Sequence, residues 1–267
     1  MKVKDILGAL EEFAPLALQD GYDNAGLQIG LAEDAEATGA LLCLDVTEDV
    51  VDEAVQRGCN LIVSHHPLLF RPVKSITGDD YIGRVIMKAI QQKVAIYAAH
   101  TNLDSAYEGV NFKMAEKLGL QHIEWLSPKT SYDYEGAIRT AGEGIIATLP
   151  APMTQKDFME RVKEVFSLKS LRVNSAAKGT ISRVALCGGS GAFLIQKAVE
   201  QGADAFITGE IGYHRFFGYD DQLLLMEIGH YESEQYTIEL LHQVISRKAP
   251  GLQVCRTKLQ TNPINYL

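Results

Sequence analysis

The chain lacks the features that would direct it to a membrane, a disulfide scaffold or a nucleic-acid surface. No apolar run reaches the roughly 20 residues that a spanning helix needs. The start, Met1-Lys2-Val3-Lys4-Asp5-Ile6-Leu7, has no apolar signal core. These absences predict a cytoplasmic protein with no membrane partner. Basic residues are in the minority, 25 Lys and Arg against 34 Asp and Glu, for a net charge of −9. A surface of that sign does not displace counterions from a phosphate backbone, which argues against duplex nucleic acid as a partner. Small anionic ligands stay open, because bound divalent cations reverse the local field. The four cysteines, Cys43, Cys59, Cys187 and Cys255, are widely spaced and sit mostly inside apolar runs. Without a zinc-ribbon or redox spacing they read as buried reduced thiols. Low-complexity runs and long charged tails are also missing.

What is present begins with ordinary bulk. The 267 residues, 46% of them hydrophobic, suffice for one large α/β unit or two smaller lobes. Histidine is scarce, at seven residues, yet all but His122 and His242 fall in short motifs that follow apolar, strand-like runs. The motifs are His65-His66-Pro67, His100-Thr101-Asn102-Leu103-Asp104, Gly209-Glu210 through His214, and His230-Tyr231-Glu232-Ser233-Glu234. The first closes the run Leu61-Ile62-Val63-Ser64, and imidazoles at a strand's carboxyl end can aim ring nitrogens at one point, as metal ligands do.

An internal repeat organises these motifs. Leu41-Leu42-Cys43-Leu44-Asp45, a helix-forming stretch ending near Gly58, and Leu61 to Ser64 align without gaps on Ala185-Leu186-Cys187-Gly188-Gly189, a stretch ending at Gly202, and Ala205 to Thr208. The alignment sets His66 on Glu210. Each copy reads as a βαβ unit with parallel strands. Each then continues into another apolar strand, Val94 to Ala99 or Leu223 to Ile228. Both strands lead to a His-x-x-x-acid pair, His100 with Asp104 and His230 with Glu234. If the copies face each other, His65, His66 and Asp104 converge with His230 and Glu234. Imidazoles with carboxylates suit zinc, iron or manganese, and the number of ligands favours two ions.

Elsewhere, Val3 to Phe13, Tyr81 to Gln91 and Val110 to Leu118 carry helical apolar spacing. Gly144 to Leu149 reads as a strand, and Lys156 to Phe166, after Pro152 and Thr154, as a helix. The domain reading is a first α/β lobe over 1–124, a short connecting insertion over 125–178 and a second α/β lobe over 179–267.

Together, His65-His66-Pro67, His100 to Asp104, Cys187-Gly188-Gly189-Ser190-Gly191, Gly209-Glu210 with Tyr213-His214, and Gly229-His230 with Ser233-Glu234 resemble the NIF-three-like family. Its members are often labelled GTP cyclohydrolase I type 2 homologues. The resemblance spans essentially the whole chain. It implies two intertwined, mostly parallel α/β lobes with a dinuclear metal site between them, held by His65, His66, Asp104, His230 and Glu234. It also implies a homohexamer built as a trimer of dimers. The connecting stretch is too short for the large extra domain that some members carry.

Other residues have more than one reading. Symmetry with His230 makes His100 a ligand candidate, while the resemblance sets it beside the metals. Glu210 and His214, four apart on an expected first helical turn, are either a general acid and base or a structural pair. The Gly188-Gly189-Ser190-Gly191 turn is either a phosphate cradle or a plain glycine turn. Asp23 to Leu27 reads as a polar loop before a strand and is a candidate lining of the pocket. The reading favoured is a divalent-metal-dependent hydrolase acting on a nucleotide or a related small anion. The alternative is a noncatalytic metal-binding scaffold that works through partner proteins.

Overall fold

Helices form where apolar residues recur every three or four positions. In the computed structural model, which describes residues 1–175 and 179–267, Val3, Ile6, Leu10 and Phe13 make the buried stripe of α1 (Val3–Phe13). Strands β1 (Gly26–Ile29) and β2 (Ala40–Cys43) follow. Helix α2 (Glu48–Gln56) is started by Thr47, whose hydroxyl accepts from the Val50 amide. After β3 (Leu61–Ser64) comes α3 (Tyr81–Gln92), started in the same way by Asp80. Then come β4 (Ala95–Ala98), the short α4 (Thr101–Ser105) and α5 (Val110–Leu118). Two long strands, β5 (Gln121–Tyr134) and β6 (Ala137–Thr154), lead to α6 (Gln155–Val165) and β7 (Arg172–Val173). The remainder is β8 (Thr180–Cys187), α7 (Ile195–Glu200), β9 (Ala205–Thr208), β10 (Leu224–Glu227), α8 (His230–Glu234), α9 (Thr237–Lys248) and β11 (Val254–Arg256). The expected helices and both copies of the βαβ repeat are among these elements. None of the helices is long and apolar enough to cross a membrane among the described residues.

Contacts divide the chain into two α/β units that are interleaved in sequence. One combines Met1–Leu103 with Thr237–Ile264, the other Asp104–Tyr236 with Asn265–Leu267. The first unit holds a five-stranded sheet in the order β1-β4-β3-β2-β11. Strands β4, β3, β2 and β11 run parallel, and β1 is antiparallel at the edge. Every residue of β2, β3 and β4 is buried, which explains why these strands read as unbroken apolar runs without alternation. Helix α1 packs on α9, and α2 on α3.

The second unit holds a six-stranded sheet in the order β5-β6-β8-β9-β10-β7. Its centre, β8-β9-β10, is the parallel part expected from the repeat. The flanks are antiparallel and come from β5, which starts at Gln121, and from the rest of the connecting stretch 125–178, whose last three residues lie outside the described ones. Successive residues on the central strands feed opposite faces: Val184, Leu186 and Ile207 pack with Phe158 and Val162 of α6, while Ala185 and Phe206 pack with Ile195 and Ala198 of α7.

All four cysteines are buried and reduced.

Candidate metal centre

In the first unit the parallel strands deliver their carboxyl ends side by side. Backbone pairing continues past β3, with His65 N donating to Cys43 O and His66 N to Leu44 O. The chain then turns, and the Ser64 hydroxyl donates to the His66 carbonyl at 2.8 Å. This turn lets two consecutive side chains share a side instead of alternating, so the His65 and His66 rings lie 4.9 Å apart. From the end of β4, His100 joins them at 5.3 Å from His65 and 5.5 Å from His66, centroid to centroid. One nitrogen from each ring falls within 4.8 Å of the other two, a spacing that one ion can satisfy.

Each ring is oriented by an acceptor at Nδ1. Fully buried His65 donates to Ala99 O at 2.7 Å, His66 to Asp45 Oδ1 at 2.8 Å, and His100 to Asp23 Oδ1 at 2.7 Å. An Nδ1 proton held this way leaves Nε2 with the lone pair, the arrangement of metal-bound imidazoles whose other nitrogen rests on a carbonyl or carboxylate. Burial raises the Asp23 pKa, but bonds from His100 and Thr101 outweigh it and hold the carboxyl at about 2. Asp45 is likewise lowered, since bonds from His66 and Thr261 overcome its burial.

The second unit presents a carboxylate-rich set. His230 opens α8, and its Nε2 lies 3.2 Å from Glu234 Oε2 one turn on, a carboxylate only 3% exposed. His230 Nδ1 donates to Glu210 Oε1 at 2.8 Å, and the other Glu210 oxygen accepts from the Ser190 hydroxyl. These bonds outweigh the burial of Glu210 and lower its pKa. Gly189 makes room for the carboxylate: it has φ +59°, and a Cβ there would stand 2.4 Å from Glu234 Oε1. Buried Cys187 lies in the field of both Asp104 and Glu234. Burial first, and those carboxylates with Glu143 next, push its thiol well up. Asp104 and Glu234 both belong to this unit.

The donor chemistry fits divalent ions of the zinc, iron or manganese kind: imidazoles with oriented tautomers in one unit, an imidazole, the buried Glu234 carboxylate and the half-buried Asp104 in the other.

Two other motifs are placed as follows. Glu210 and His214 do not share a helical face. The amides of Gly209 and Glu210 both donate to Gly189 O, Gly212 is extended, and helical turns begin only at the 3-10 segment Tyr213–Phe216. His214 is exposed there among Tyr213 and Phe217. In the Gly188-Gly189-Ser190-Gly191 turn, the amides of Gly188, Gly189 and Gly191 are spent on Asn111 Oδ1, Ser233 Oγ and Thr208 Oγ1. The turn builds the scaffold behind Glu234, and a phosphate would have to displace those bonds. Sequence reasoning gives the acid partners of the His66 and His100 rings no such role: Asp45 is not singled out, and Asp23 appears only in a loop that could line the pocket. The only signal for Asp45 was an acid directly after an apolar strand, and for Asp23 a polar loop.

The family model described as Duf34/NIF3 (NGG1p interacting factor 3) matches residues 1–263. A Clostridium perfringens protein named GTP cyclohydrolase 1 type 2 homolog is 35% identical, with all of both chains covered. The Clostridium acetobutylicum protein of the same name is also 35% identical, over 94% of this chain and 90% of its own. Among solved structures, Staphylococcus aureus protein SA1388 superposes with a TM-score of 0.90 at 31% identity, covering 100% of this chain and 99% of its own. A Bacillus cereus protein related to NIF3 gives 0.87 at 27% identity, covering 99% and 98%. With a family model over nearly its whole length and full-length relatives above 30% identity, the chain belongs to the Duf34/NIF3 family.

Proposed function

We propose that the protein is a metal-dependent hydrolase with a dinuclear centre, in which His65, His66 and Asp104 act together with His230 and Glu234, and His100 lies within reach of the same ions. The observation that carries the reading is the set of imidazoles whose Nδ1 atoms are tied to acceptors, so that each presents Nε2 as a ligand. Carboxylates add support, since purely structural metal sites are usually closed by cysteine and histidine alone. Two divalent ions bound there would bring a water's pKa towards neutrality and make it a nucleophile. Glu210 lies against the His230 ring and is the nearer candidate to carry a proton, although the bonds that hold it there also make it a weaker base. His214, on its exposed turn, is a weaker candidate for that role. The names of the Clostridium relatives support a nucleotide or similar small anion as substrate. The assembly proposed with this site is a hexamer, a trimer of dimers.

Metal analysis of the purified protein, with turnover measured over a nucleotide and phosphoester panel, tests the reading. Wild type should carry two ions per chain, and His66→Ala and Glu234→Ala should each lose at least one and melt at lower temperature. Full metal retention by Glu234→Ala overturns the shared centre. A metal-loaded wild type without turnover on the panel favours the noncatalytic scaffold.

A further inference from the structure

A cleft of about 460 Å³ opens beside His100 in the first unit, between residues 22–24 and 69–73. Three features distinguish it. Two aromatic side chains stand exposed at its rim, Tyr22 at 66% and Phe70 at 43%, with ring centroids 6.3 Å apart. The Phe70 ring in turn meets the His100 ring edge to face at 6.0 Å, so an aromatic surface runs from the rim to a candidate ligand. The third feature is Arg71, exposed on the same loop and making no ion pair among the described residues.

The walls are tied together before any ligand arrives. Asn24 Nδ2 donates to Leu69 O at 2.8 Å, and the Leu69 amide donates to Gln28 Oε1 at 3.1 Å, which pins the loop after His66 to β1 and the loop before it. The carboxylate that lines the cleft, Asp23, has no exposed side-chain surface and is engaged by His100 and Thr101. Flat rings prefer aromatic faces and edges, and a guanidinium takes a phosphate or carboxylate through two parallel N–H bonds.

We propose that this cleft is the recognition subsite for the substrate of the neighbouring metal centre, taking a small molecule that joins a planar aromatic ring to an anionic group. The ring packs on Phe70 and Tyr22, the anionic group pairs with Arg71, and the ring edge faces His100. The proposal rests on the hydrolase reading for its purpose, but binding at the cleft is measured without turnover.

Calorimetry with three probes, guanosine monophosphate, guanosine and inorganic phosphate, tests it on wild type, Arg71→Ala and Phe70→Ala, with metal content recorded for each. Both side chains are exposed, so fold and metal content should survive the substitutions. The monophosphate should bind at least about tenfold more tightly than either fragment. Arg71→Ala should cost it about tenfold while leaving guanosine unchanged, and Phe70→Ala should weaken both the monophosphate and guanosine by a similar factor. Equal affinity for the monophosphate and inorganic phosphate, monophosphate binding untouched by both variants, or no binding by metal-loaded wild type each overturns the subsite. A wild type that holds no metal yet binds the monophosphate through Arg71 and Phe70 fails the hydrolase reading and leaves the subsite standing.

Discussion

A carboxylate behind an imidazole does two things: it fixes which nitrogen carries the proton, and it raises the basicity of the other. Asp45 does this for His66 through a 2.8 Å bond and is itself steadied by the Thr261 hydroxyl at 3.0 Å. Asp45→Ala should therefore leave the fold intact and weaken metal binding by about 10–100-fold, read by competition with a chelator. Unchanged affinity would mean that His66 holds its orientation without help. Such partners explain what was legible residue by residue. His65, His66, His100, His230 and Glu234 stood out because a repeat placed rare residue types after matching strands. Asp23 and Asp45 touch the same rings but lie 77 and 21 positions from them, and no spacing rule links such pairs. Glu210 and His214 do not share a helical face, for the converse reason. A four-residue spacing means a shared face only inside a helix, and extended Gly212 interrupts it.

Among the elements, β11 depends on a contact that crosses most of the sequence. Glu53 on α2 accepts from the Thr257 hydroxyl and the Lys258 amide just past β11, and also from Arg57. Burial raises its pKa, but these bonds prevail and lower it below its ordinary 4.5. A carboxyl with a lowered folded-state pKa stabilises the fold above the unfolded value and loses that contribution as pH falls through the folded one. Glu53→Gln imitates the protonated form. Its deficit in urea midpoint against wild type should be full near neutral pH and shrink below about 4.5. A pH-independent deficit would show that packing, not charge, holds the segment. Elements are legible in the sequence where burial is two-sided or helical. Strands β2 to β4 gave apolar runs, and α1, α3 and α5 gave apolar stripes. It was poor for β5, whose first five and middle residues are mostly exposed, so neither alternation nor a run marks it. Of β6, only the buried stretch Gly144 to Leu149 announced itself, while the strand extends over 18 residues.

At the scale of the whole molecule, the interleaving of the two units makes the segment Thr237–Ile264 matter to Met1–Leu103. The sequence repeat showed two α/β copies, but repeats mark similar elements and do not show which compact body each joins. Helix α9 and strand β11 follow the second copy in sequence and complete the first unit in space. Helix α9 buries Leu240, Leu241, Val244 and Ile245, and it covers α1. At about 1.5–3 kcal/mol per buried aliphatic side chain, its loss removes about 6–12 kcal/mol. That is comparable to the whole stability of an ordinary domain, about 5–15 kcal/mol. Losing β11 also uncovers the edge of β2. The second unit gives up only Asn265–Leu267, including a bond between Tyr266 and Glu232. A chain ended after Tyr236 should therefore lose amide-exchange protection in β2, β3 and β4 while keeping it in β8, β9 and β10. The histidines at the ends of β3 and β4 would lose their alignment along with the sheet, and metal bound through them would be released. Protection retained in β2 to β4, or lost equally in both sheets, would contradict this division of the chain.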